Sequence, residues 1–136
     1  MVQNYVLGFC FSSDLKEVVL IEKNKPEWQK GFLNGVGGKI EPDESAEHAM
    51  QREFKEETGV DIKEEWILLG QMGGEEFNVF IFKTASELTY RVSTMESEEV
   101  GIYEVRKLPE LKVINNLNWL IPACLSDTFK RMYVRY

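Results

Sequence analysis

Three glutamates occupy helix positions where apolar side chains are expected to meet a core. Residues 37–60 read as a glycine turn followed by a helix, and at about 100° per residue an apolar stripe runs along one side of that helix. Glu53 and Glu57 project into the stripe, and Glu56 lies at its edge. Carboxylates are rarely buried unless they are paired or metal-bound, because dehydration is costly. The pattern therefore predicts a functional site that binds a cation.

Length and charge limit the class of protein. The 136 residues predict a single domain over residues 1–136. The net charge of −7 argues against polymeric nucleic acid as a partner, because basic surfaces usually bind it. A small phosphorylated ligand remains compatible, since Mg²⁺ joins carboxylates to phosphates. No apolar run reaches the length of a membrane span, so no membrane partner is expected.

The cysteines and the N-terminus predict a cytoplasmic protein. Cys10 and Cys124 are isolated, with no second cysteine or histidine at ligand spacing, and we interpret them as reduced thiols. The N-terminal segment lacks a basic region and alternates like a strand, so we do not interpret it as a signal peptide. Formation of a homodimer is left open.

Hydrophobic periodicity predicts an α+β fold. Apolar residues on both faces make the first and fourth strands central, and the segment with four glycines between residues 31 and 38 is expected to be a loop. Helices on both faces of a mixed β-sheet are the expected arrangement. The predicted strands are Gln3–Phe11, Glu17–Glu22, 66–70, 76–83, 88–92 and 100–105, and the predicted helices are 45–58, followed by Gly59, and 116–132.

The spacing of the central residues matches a known motif. Gly38, five residues, Glu44, seven residues and then the run REFKEETGV at 52–60 fit the Nudix box, G-x5-E-x7-R-E-U-x-E-E-x-G-U, in which U is apolar. Every fixed position is filled, including Phe54 and Val60 at apolar positions. On these residues the chain resembles the Nudix hydrolases, and in particular their MutT-like members. The resemblance implies an α/β/α sandwich with the mixed β-sheet between helices.

The resemblance also implies a metal site and a reaction. The expected cofactor is Mg²⁺, with Mn²⁺ as a substitute, and the reaction is hydrolysis of a nucleoside diphosphate linked to another group. Glu56 and Glu57 are expected to be metal ligands, Glu53 a ligand or the base, and the Gly37 carbonyl a further ligand. The predicted phosphate contacts are Lys39 and the glycine turn at Gly38.

The residues of this helix suit that chemistry physically. Attack of water on a diphosphate is slow chiefly because several negative charges must come together, and metal ions neutralise them. Glutamates three and four positions apart lie on adjacent helix positions, so Glu53, Glu56 and Glu57 can converge on one or more ions. Arg52 can hold a carboxylate by charge-assisted hydrogen bonds, and either Glu56 or Glu44 is its candidate partner.

An acidic segment after the strands offers a further catalytic carboxylate. Some members of the family take a carboxylate from a loop outside the motif. Glu99 is the first candidate here, followed by Glu98 and Glu96, and the alternative is a solvated acidic loop. His48, the only histidine, falls on the polar side of the helix and is interpreted as a surface residue.

Four residues outside the motif are candidates for substrate binding, each with a structural alternative. Asn34 resembles a base contact of oxidised-purine triphosphatases, or is a turn residue. Asn116 resembles their base-reading position, where an amide can both donate and accept, or is a helix cap. Trp28 either stacks on a base or covers the core, and Lys23 either contacts a phosphate or is a solvated charge.

These residues favour a small-molecule nucleotide substrate. The first hypothesis is a Mg²⁺-dependent hydrolase that converts a nucleoside triphosphate, such as 8-oxo-dGTP or another dNTP, to the monophosphate and pyrophosphate. The alternative is a pyrophosphatase of ADP-ribose, nucleotide sugars or dinucleoside polyphosphates. A nucleotide-binding sensor without activity is disfavoured by the complete motif, and mRNA decapping by the absence of a basic stripe.

Overall fold

The computed structural model describes residues 2–127 and 131–135, which form one mixed sheet flanked by helices. The strands are β1 Gln3–Phe11, β2 Glu17–Glu22, β3 Leu33–Asn34, β4 Val36–Lys39, β5 Ile67–Gly73, β6 Phe77–Ala85, β7 Val100–Glu104 and β8 Met132–Arg135. The α-helices are α1 Ala46–Thr58 and α2 Leu117–Leu125, and short 3-10 helices span Glu27–Gln29, Glu87–Arg91 and Val105–Glu110.

The sheet is centred on β1 and β6. Among the described residues the strand order is β3-β2-β1-β6-β5-β8, with β4 also paired to β1 and β7 to β2. The β1–β6 and β5–β8 pairs are parallel, whereas the other pairs are antiparallel, so the sheet is mixed as predicted. The first and fourth strands of the sequence-based prediction correspond to β1 and β6. Their predicted central position in the sheet is confirmed.

Each face of the sheet has its own hydrophobic core, because successive side chains of a strand point to opposite faces. Helix α1 packs on one face through Ala49, Met50 and Phe54. Helix α2 packs on the other face through Leu117, Leu120 and Ile121. The α/β/α sandwich predicted from the resemblance is confirmed.

Both ends of α1 are formed by local signals in the sequence. The Ser45 hydroxyl accepts a hydrogen bond of 3.1 Å from the backbone N–H of His48, which identifies Ser45 as the N-cap. Gly59 follows the helix with φ 80°, in the left-handed region that favours glycine, and its N–H donates to the carbonyl of Lys55. The predicted helix 45–58 is confirmed to within one residue.

The glycine-rich segment predicted as a loop contains β3 and β4 instead. A Cβ atom at Gly37 would collide with the backbone carbonyl of Val6 on β1. The glycines therefore allow the backbones of β4 and β1 to approach closely, which is one of the two roles that glycine can have here. Gly31 serves the other role, which is to adopt a positive φ, here 83°.

The strand predicted over residues 88–92 is wrong. This segment is a 3-10 helix, Glu87–Arg91, in which the Ser86 hydroxyl accepts from the N–H of Leu88 at 3.0 Å. The Thr89 hydroxyl also donates to the Ser86 carbonyl at 2.8 Å. Such local bonds between side chains and backbone compete with strand pairing, and a pattern of apolar residues does not show them.

The helix predicted over residues 116–132 is too long. Helix α2 ends at Leu125, where Lys83 donates to the carbonyl of Cys124 at 2.9 Å, and Met132 already belongs to β8. Strand β5 also extends to Gly73, three residues beyond the predicted end at residue 70. Residues 128–130, at the end of the predicted helix, lie outside the described part of the chain, as do residues 1 and 136.

Both cysteines are buried and unpaired. Cys10 lies in the core beneath α1 and Cys124 in the core beneath α2, so the sheet separates them. Burial raises the pKa of Cys10 to about 11 and that of Cys124 to about 12, which leaves both thiols protonated at neutral pH. Across the described residues, no helix combines the length and the hydropathy that crossing a bilayer requires.

Phe54 is expected to contribute strongly to stability. Its side chain is fully buried, and its ring centroid lies 5.4 Å from that of Trp66. Phe54→Ala leaves a cavity and should lower the free energy of unfolding by about 3–5 kcal/mol in urea denaturation. Ile67→Ala, at a position that is 49% exposed, should change it by no more than about 0.5 kcal/mol. Equal losses in the two variants would contradict this packing.

Candidate active site

The site begins where β4 passes beneath the start of α1. A Cβ atom added at Gly38 would collide with the carboxylate of Glu53. Gly38 therefore leaves the space in which Glu53 lies, and this is a physical reason for a glycine at this place in the motif. Gly37 precedes it on β4, in register with Leu7 of β1. The exposed Lys39 ends the strand.

Arg52 gathers the acidic residues of the motif around one guanidinium. Its Nε and Nη2 atoms donate to the two oxygens of Glu44 at 2.7 and 3.0 Å. Its Nη1 atom donates to Glu53 at 3.1 Å and to Glu56 at 3.1 Å. Nη2 also donates to the backbone carbonyl of Lys39 at 3.0 Å. All five N–H groups of the guanidinium are thus engaged, and both predicted partners, Glu44 and Glu56, are bound at once.

Glu44 is held as an anion by this network. The Arg52 hydrogen bonds lower its pKa to about 2, helped by the backbone N–H of Glu41, which donates to it at 2.9 Å. In return, Glu44 raises the pKa of Arg52, which therefore stays charged. His48 also contacts Glu44, through Nδ1 at 2.8 Å, and is exposed as predicted. Glu44 thus fixes the position of Arg52.

The groups around Glu53 shift its pKa in opposite directions. Burial raises its pKa, Arg52 opposes the shift, and the charges of Glu56 and Glu96 add to it. Its side chain is only 13% exposed, whereas that of Glu56 is 48% exposed. A carboxylate with a raised pKa in a partly dry site suits a general base.

Glu57 lacks any positive partner among the described residues. Its Oε2 atom is buried and accepts no hydrogen bond there. Burial, followed by the charges of Glu96, Glu98 and Glu53, raises its pKa to about 7. A buried oxygen surrounded by like charges is costly unless something positive binds it. Glu57 is therefore the ligand position that most clearly requires a cation.

The acidic loop, which we define as residues 93–99, brings the additional carboxylates to Glu57. Glu96 and Glu98 act on the pKa of Glu57, whereas Glu99 acts on that of Tyr103 in β7, which burial raises most. The structure therefore favours Glu96 and Glu98 over Glu99, the first candidate from the sequence. The sequence carries no signal for this order, because the position of each glutamate relative to Glu57 depends on how the loop folds.

The donor set fits a hard divalent cation. Carboxylate oxygens are the ligands that Mg²⁺ prefers, and Glu57 supplies a buried oxygen that has no partner among the described residues. Across residues 2–127 and 131–135, however, no three acidic, histidine or cysteine side chains are already grouped as ligands of one ion. The physical reason is that Arg52 holds Glu53 and Glu56, while Glu57 faces the acidic loop.

Lys23 and Trp28 lie on the segment that follows β2. The Nζ atom of Lys23 is 3.1 Å from Glu98, so this lysine is paired within the protein and is not a solvated charge. Trp28 is 68% exposed, and its 3-10 helix contains no buried residue. The interpretation that Trp28 covers the core is therefore wrong, and its indole face is available to a ligand.

Asn34 and Asn116 lie at the same end of the sheet, because the carbonyl of Leu33 accepts from the N–H of Ile114 at 2.9 Å. Asn34 is a β3 residue and not a turn residue; its Oδ1 accepts from the N–H of Gly35 at 2.8 Å. The side chain of Asn116 makes no capping hydrogen bond, and its buried Oδ1 accepts none from the described residues. Asn116 therefore occupies the N-cap position of α2, as the helix-cap interpretation expects, but its side chain does not act as the cap.

Gln29 was not identified from the sequence. Its Oε1 atom accepts from Nδ2 of Asn34 at 3.3 Å. This hydrogen bond and the one from the N–H of Gly35 to Oδ1 fix the direction of the Asn34 amide. One N–H and one lone pair of that amide remain for a ligand. A spacing of five residues across a turn and a strand has no recognisable sequence signal, so only the structure could reveal this contact.

Known proteins resemble this chain in sequence and in fold. A family model described as the NUDIX domain matches residues 1–123. The 8-oxo-dGDP phosphatase NUDT18 of Homo sapiens is similar, with 36% identity over 78 residues. The match covers 57% of this chain but 24% of that relative. The chain therefore corresponds to only a part of the longer human protein.

Solved structures share the architecture. The mutator protein MutT of Bacillus halodurans superposes with a TM-score of 0.74 at 23% identity, over 99% of this chain and 90% of that one. The NUDIX domain of Shewanella oneidensis NrtR, in complex with ADP-ribose, gives 0.69 at 16% identity, over 90% and 85% of the two chains. At such identities the likeness concerns the fold.

The Glu44–Arg52 pair predicts a defined pH dependence of stability. The pKa of Glu44 is lowered on folding. The pair therefore stabilises the protein at pH values above the ordinary carboxyl pKa of about 4.3. This contribution should be lost as the pH falls toward about 2. Glu44→Gln should therefore be less stable than wild type at pH 6, and the difference should shrink between pH 5 and pH 2. Urea denaturation across that range measures it.

The control for this prediction is Glu75→Gln, at an exposed position in the turn between β5 and β6. It should follow the wild-type profile. A constant difference between Glu44→Gln and wild type at every pH would show that Glu44 stabilises the fold by packing and not as an anion.

Proposed function

The chain belongs to the Nudix hydrolase family, and on that premise we propose that it hydrolyses a nucleoside triphosphate to the monophosphate and pyrophosphate with Mg²⁺. The observation that carries the proposal is Glu57, whose buried oxygen has no partner among the described residues and faces other carboxylates. An acidic site of this kind suits a ligand that arrives with a divalent cation. Mn²⁺ is expected to substitute for Mg²⁺.

The residues of the site divide the work of the reaction. Glu57, Glu56 and the Gly37 carbonyl would hold the cation, with Glu53 as a further ligand or as the base. Mg²⁺, when bound, neutralises the phosphate charge and makes a water molecule a better nucleophile. Arg52 positions Glu53 and Glu56 through its hydrogen bonds.

The proton of the attacking water needs an acceptor. Glu53 is partly buried and has a raised pKa, so it can take that proton as the water oxygen bonds to phosphorus and the P–O bond between the α- and β-phosphates breaks, which separates the monophosphate from pyrophosphate. Glu96 of the acidic loop is the alternative acceptor, ahead of Glu98, whose two oxygens are already paired, and of Glu99. Lys39, exposed at the end of β4 beside Gly38, would contact a phosphate of the substrate.

The nucleobase would bind at the end of the sheet that carries Asn34 and Asn116. The Oδ1 atom of Asn116 can accept a hydrogen bond from the base, and the free N–H of Asn34 can donate one. Trp28 offers an exposed aromatic face for stacking. A set of donors and acceptors suits a purine edge, which supports 8-oxo-dGTP as the first substrate to test.

A substrate panel tests the proposal. The panel contains dNTPs, 8-oxo-dGTP, ADP-ribose, a nucleotide sugar, a dinucleoside polyphosphate and 8-oxo-dGDP, which the name of the human relative suggests. The expected products are the nucleoside monophosphate and pyrophosphate from a triphosphate. Turnover of ADP-ribose far above that of every triphosphate would favour the alternative pyrophosphatase.

We also propose that the protein works in the cytoplasm. Cys10 and Cys124 are free and lie in different cores, so they cannot pair within the chain. Unpaired buried thiols are typical of a reducing compartment. Localisation of a tagged full-length protein by microscopy or fractionation would test this expectation.

Glu57→Gln should separate stability from activity. Turnover should fall by about 10²-fold or more, because a central electrostatic element is lost. Without metal the variant should melt at a higher temperature than wild type, since an unpaired buried charge is removed. Added Mg²⁺ should raise the melting temperature of wild type more than that of the variant.

The control for this variant is Glu47→Gln, at an exposed position on α1. It should keep both the turnover and the Mg²⁺-dependent shift in melting temperature. If Glu57→Gln kept them as well, Glu57 would not be a metal ligand.

Asn116→Ala should raise KM for the nucleotide by about tenfold, the effect of one lost hydrogen bond of about 1.4 kcal/mol. The value of kcat should change little, because the contact is made in both ground and transition states. The variant should be as stable as wild type, since Oδ1 has no partner among the described residues. Asn118→Ala, at an exposed position on the same helix, should leave KM unchanged, and an equal rise there would remove Asn116 from the base site.

A further inference from the structure

A buried ion pair joins two loops beside the proposed metal site. Glu98 is only 7% exposed, and its Oε1 atom lies 3.1 Å from Nζ of Lys23. The side chain of Lys23 is itself only 19% exposed. The Oε2 atom of Glu98 accepts a hydrogen bond of 2.7 Å from the backbone N–H of Asn24. Both oxygens of Glu98 therefore have partners, in contrast to the buried oxygen of Glu57.

Further hydrogen bonds strengthen the same connection. The side-chain amide of Asn24 donates to the carbonyl of Ser97 at 3.0 Å. The backbone N–H of Glu22 donates to the carbonyl of Glu99 at 2.9 Å. Residues 97–99 are thus fixed to residues 22–24, at the end of β2.

The other end of the acidic loop is attached to helix α1. The N–H of Ser93 donates to the carbonyl of Thr58 at 3.0 Å, and the N–H of Met95 donates to that of Glu57 at 3.3 Å. These carbonyls belong to the last turn of α1, where no N–H of the helix can reach them. Glu96 lies between the two attachments and is exposed.

We propose that Lys23 is the counter-ion of the buried Glu98 and a positioning residue of the active site, not a phosphate contact. The pair attaches the acidic loop to β2 and so determines how Glu96 faces Glu57. This role rests on the proposed function, because it assigns the loop to the metal site. The backbone N–H of Met95, the residue before Glu96, donates to the carbonyl of Glu57, which keeps this part of the loop beside the helix.

The proposal has a distinctive energetic consequence. Removing one member of a buried ion pair leaves the other charge without compensation, which is strongly unfavourable. Removing both members leaves no charge to compensate, so much of the loss is recovered. A contact between Lys23 and a phosphate would show no such recovery, since Glu98 would take no part in it.

The experiment is a double-mutant cycle on the full chain with Lys23→Met, Glu98→Gln and the double variant. Lys23→Arg is the conservative variant, and Lys25→Met, an exposed lysine of the same segment, is the matched control. The measurements are kcat and KM on the preferred nucleotide, the urea midpoint, and hydrogen exchange of the peptide that covers the acidic loop.

Lys23→Met should lower kcat by about tenfold with KM nearly unchanged, and should speed hydrogen exchange in the acidic loop. The double variant should lie within about threefold of Glu98→Gln in kcat, and the losses in urea midpoint should be clearly less than additive. Lys23→Arg should keep most of the activity, and Lys25→Met should resemble wild type. If Lys23→Met fails to fold while the double variant folds, the pairing is supported.

Other outcomes would overturn the proposal. If Lys23→Met raised KM by the same factor in the wild-type and Glu98→Gln backgrounds, Lys23 would be a phosphate contact. If the losses in urea midpoint were additive and the exchange of the acidic loop unchanged, the pair would not position the loop. Failure of the proposed function is separable, because it would appear as absent turnover of the whole panel by wild type, while the urea and exchange measurements still decide the pairing.

Discussion

The guanidinium of Arg52 is the contact on which the active site depends. It binds Glu44 through two hydrogen bonds, and its other N–H groups reach Glu53, Glu56 and the Lys39 carbonyl. One planar group thus ties the helix, the end of β4 and the turn between them into a fixed arrangement. Without it, the carboxylates on α1 would repel one another with nothing to orient them. Glu44 offsets most of the charge of Arg52, so the remaining carboxylates of the site keep a net negative charge.

This negative charge acts on the proposed metal ligands. Arg52 holds Glu53 and Glu56, and the buried Oε2 atom of Glu57 lies among like charges. A divalent cation would relieve the repulsion in a site built in this way. The sheet supports the arrangement from beneath: glycines let β4 lie close against β1, and Phe54 anchors α1 in the core on that face. Stability and function therefore use adjacent sides of one helix.

Much of the fold was predictable, because its signals are local. Alternating apolar residues identified β1 and β6, and Ser45 and Gly59 marked the ends of α1 within a single turn of helix. The errors occurred where a specific hydrogen bond, local in one case and tertiary in the other, outweighed the apolar pattern. Residues 88–92 form a 3-10 helix through the Ser86 and Thr89 hydroxyls, and the helix predicted to reach residue 132 ends at Leu125, where Lys83 from the sheet binds its last turn. Periodicity alone carries no information about such partners.

The sequence by itself determined the chemistry of α1. The spacing of Arg52 and the three glutamates of α1 follows from helix geometry, and Gly38 and Glu44 precede the helix at the spacing of the family motif, so the order of the residues along the chain is enough to identify both. Only the tertiary structure decided how the surrounding residues are used: Lys23 is paired with Glu98, Asn116 keeps an oxygen without a partner among the described residues, and Trp28 is exposed. The physical reason is distance along the chain. Contacts within one helix are set by a repeat of a few residues, whereas the contact of Lys23 with Glu98 spans 75 positions and forms only when the loops after β2 and before β7 fold together.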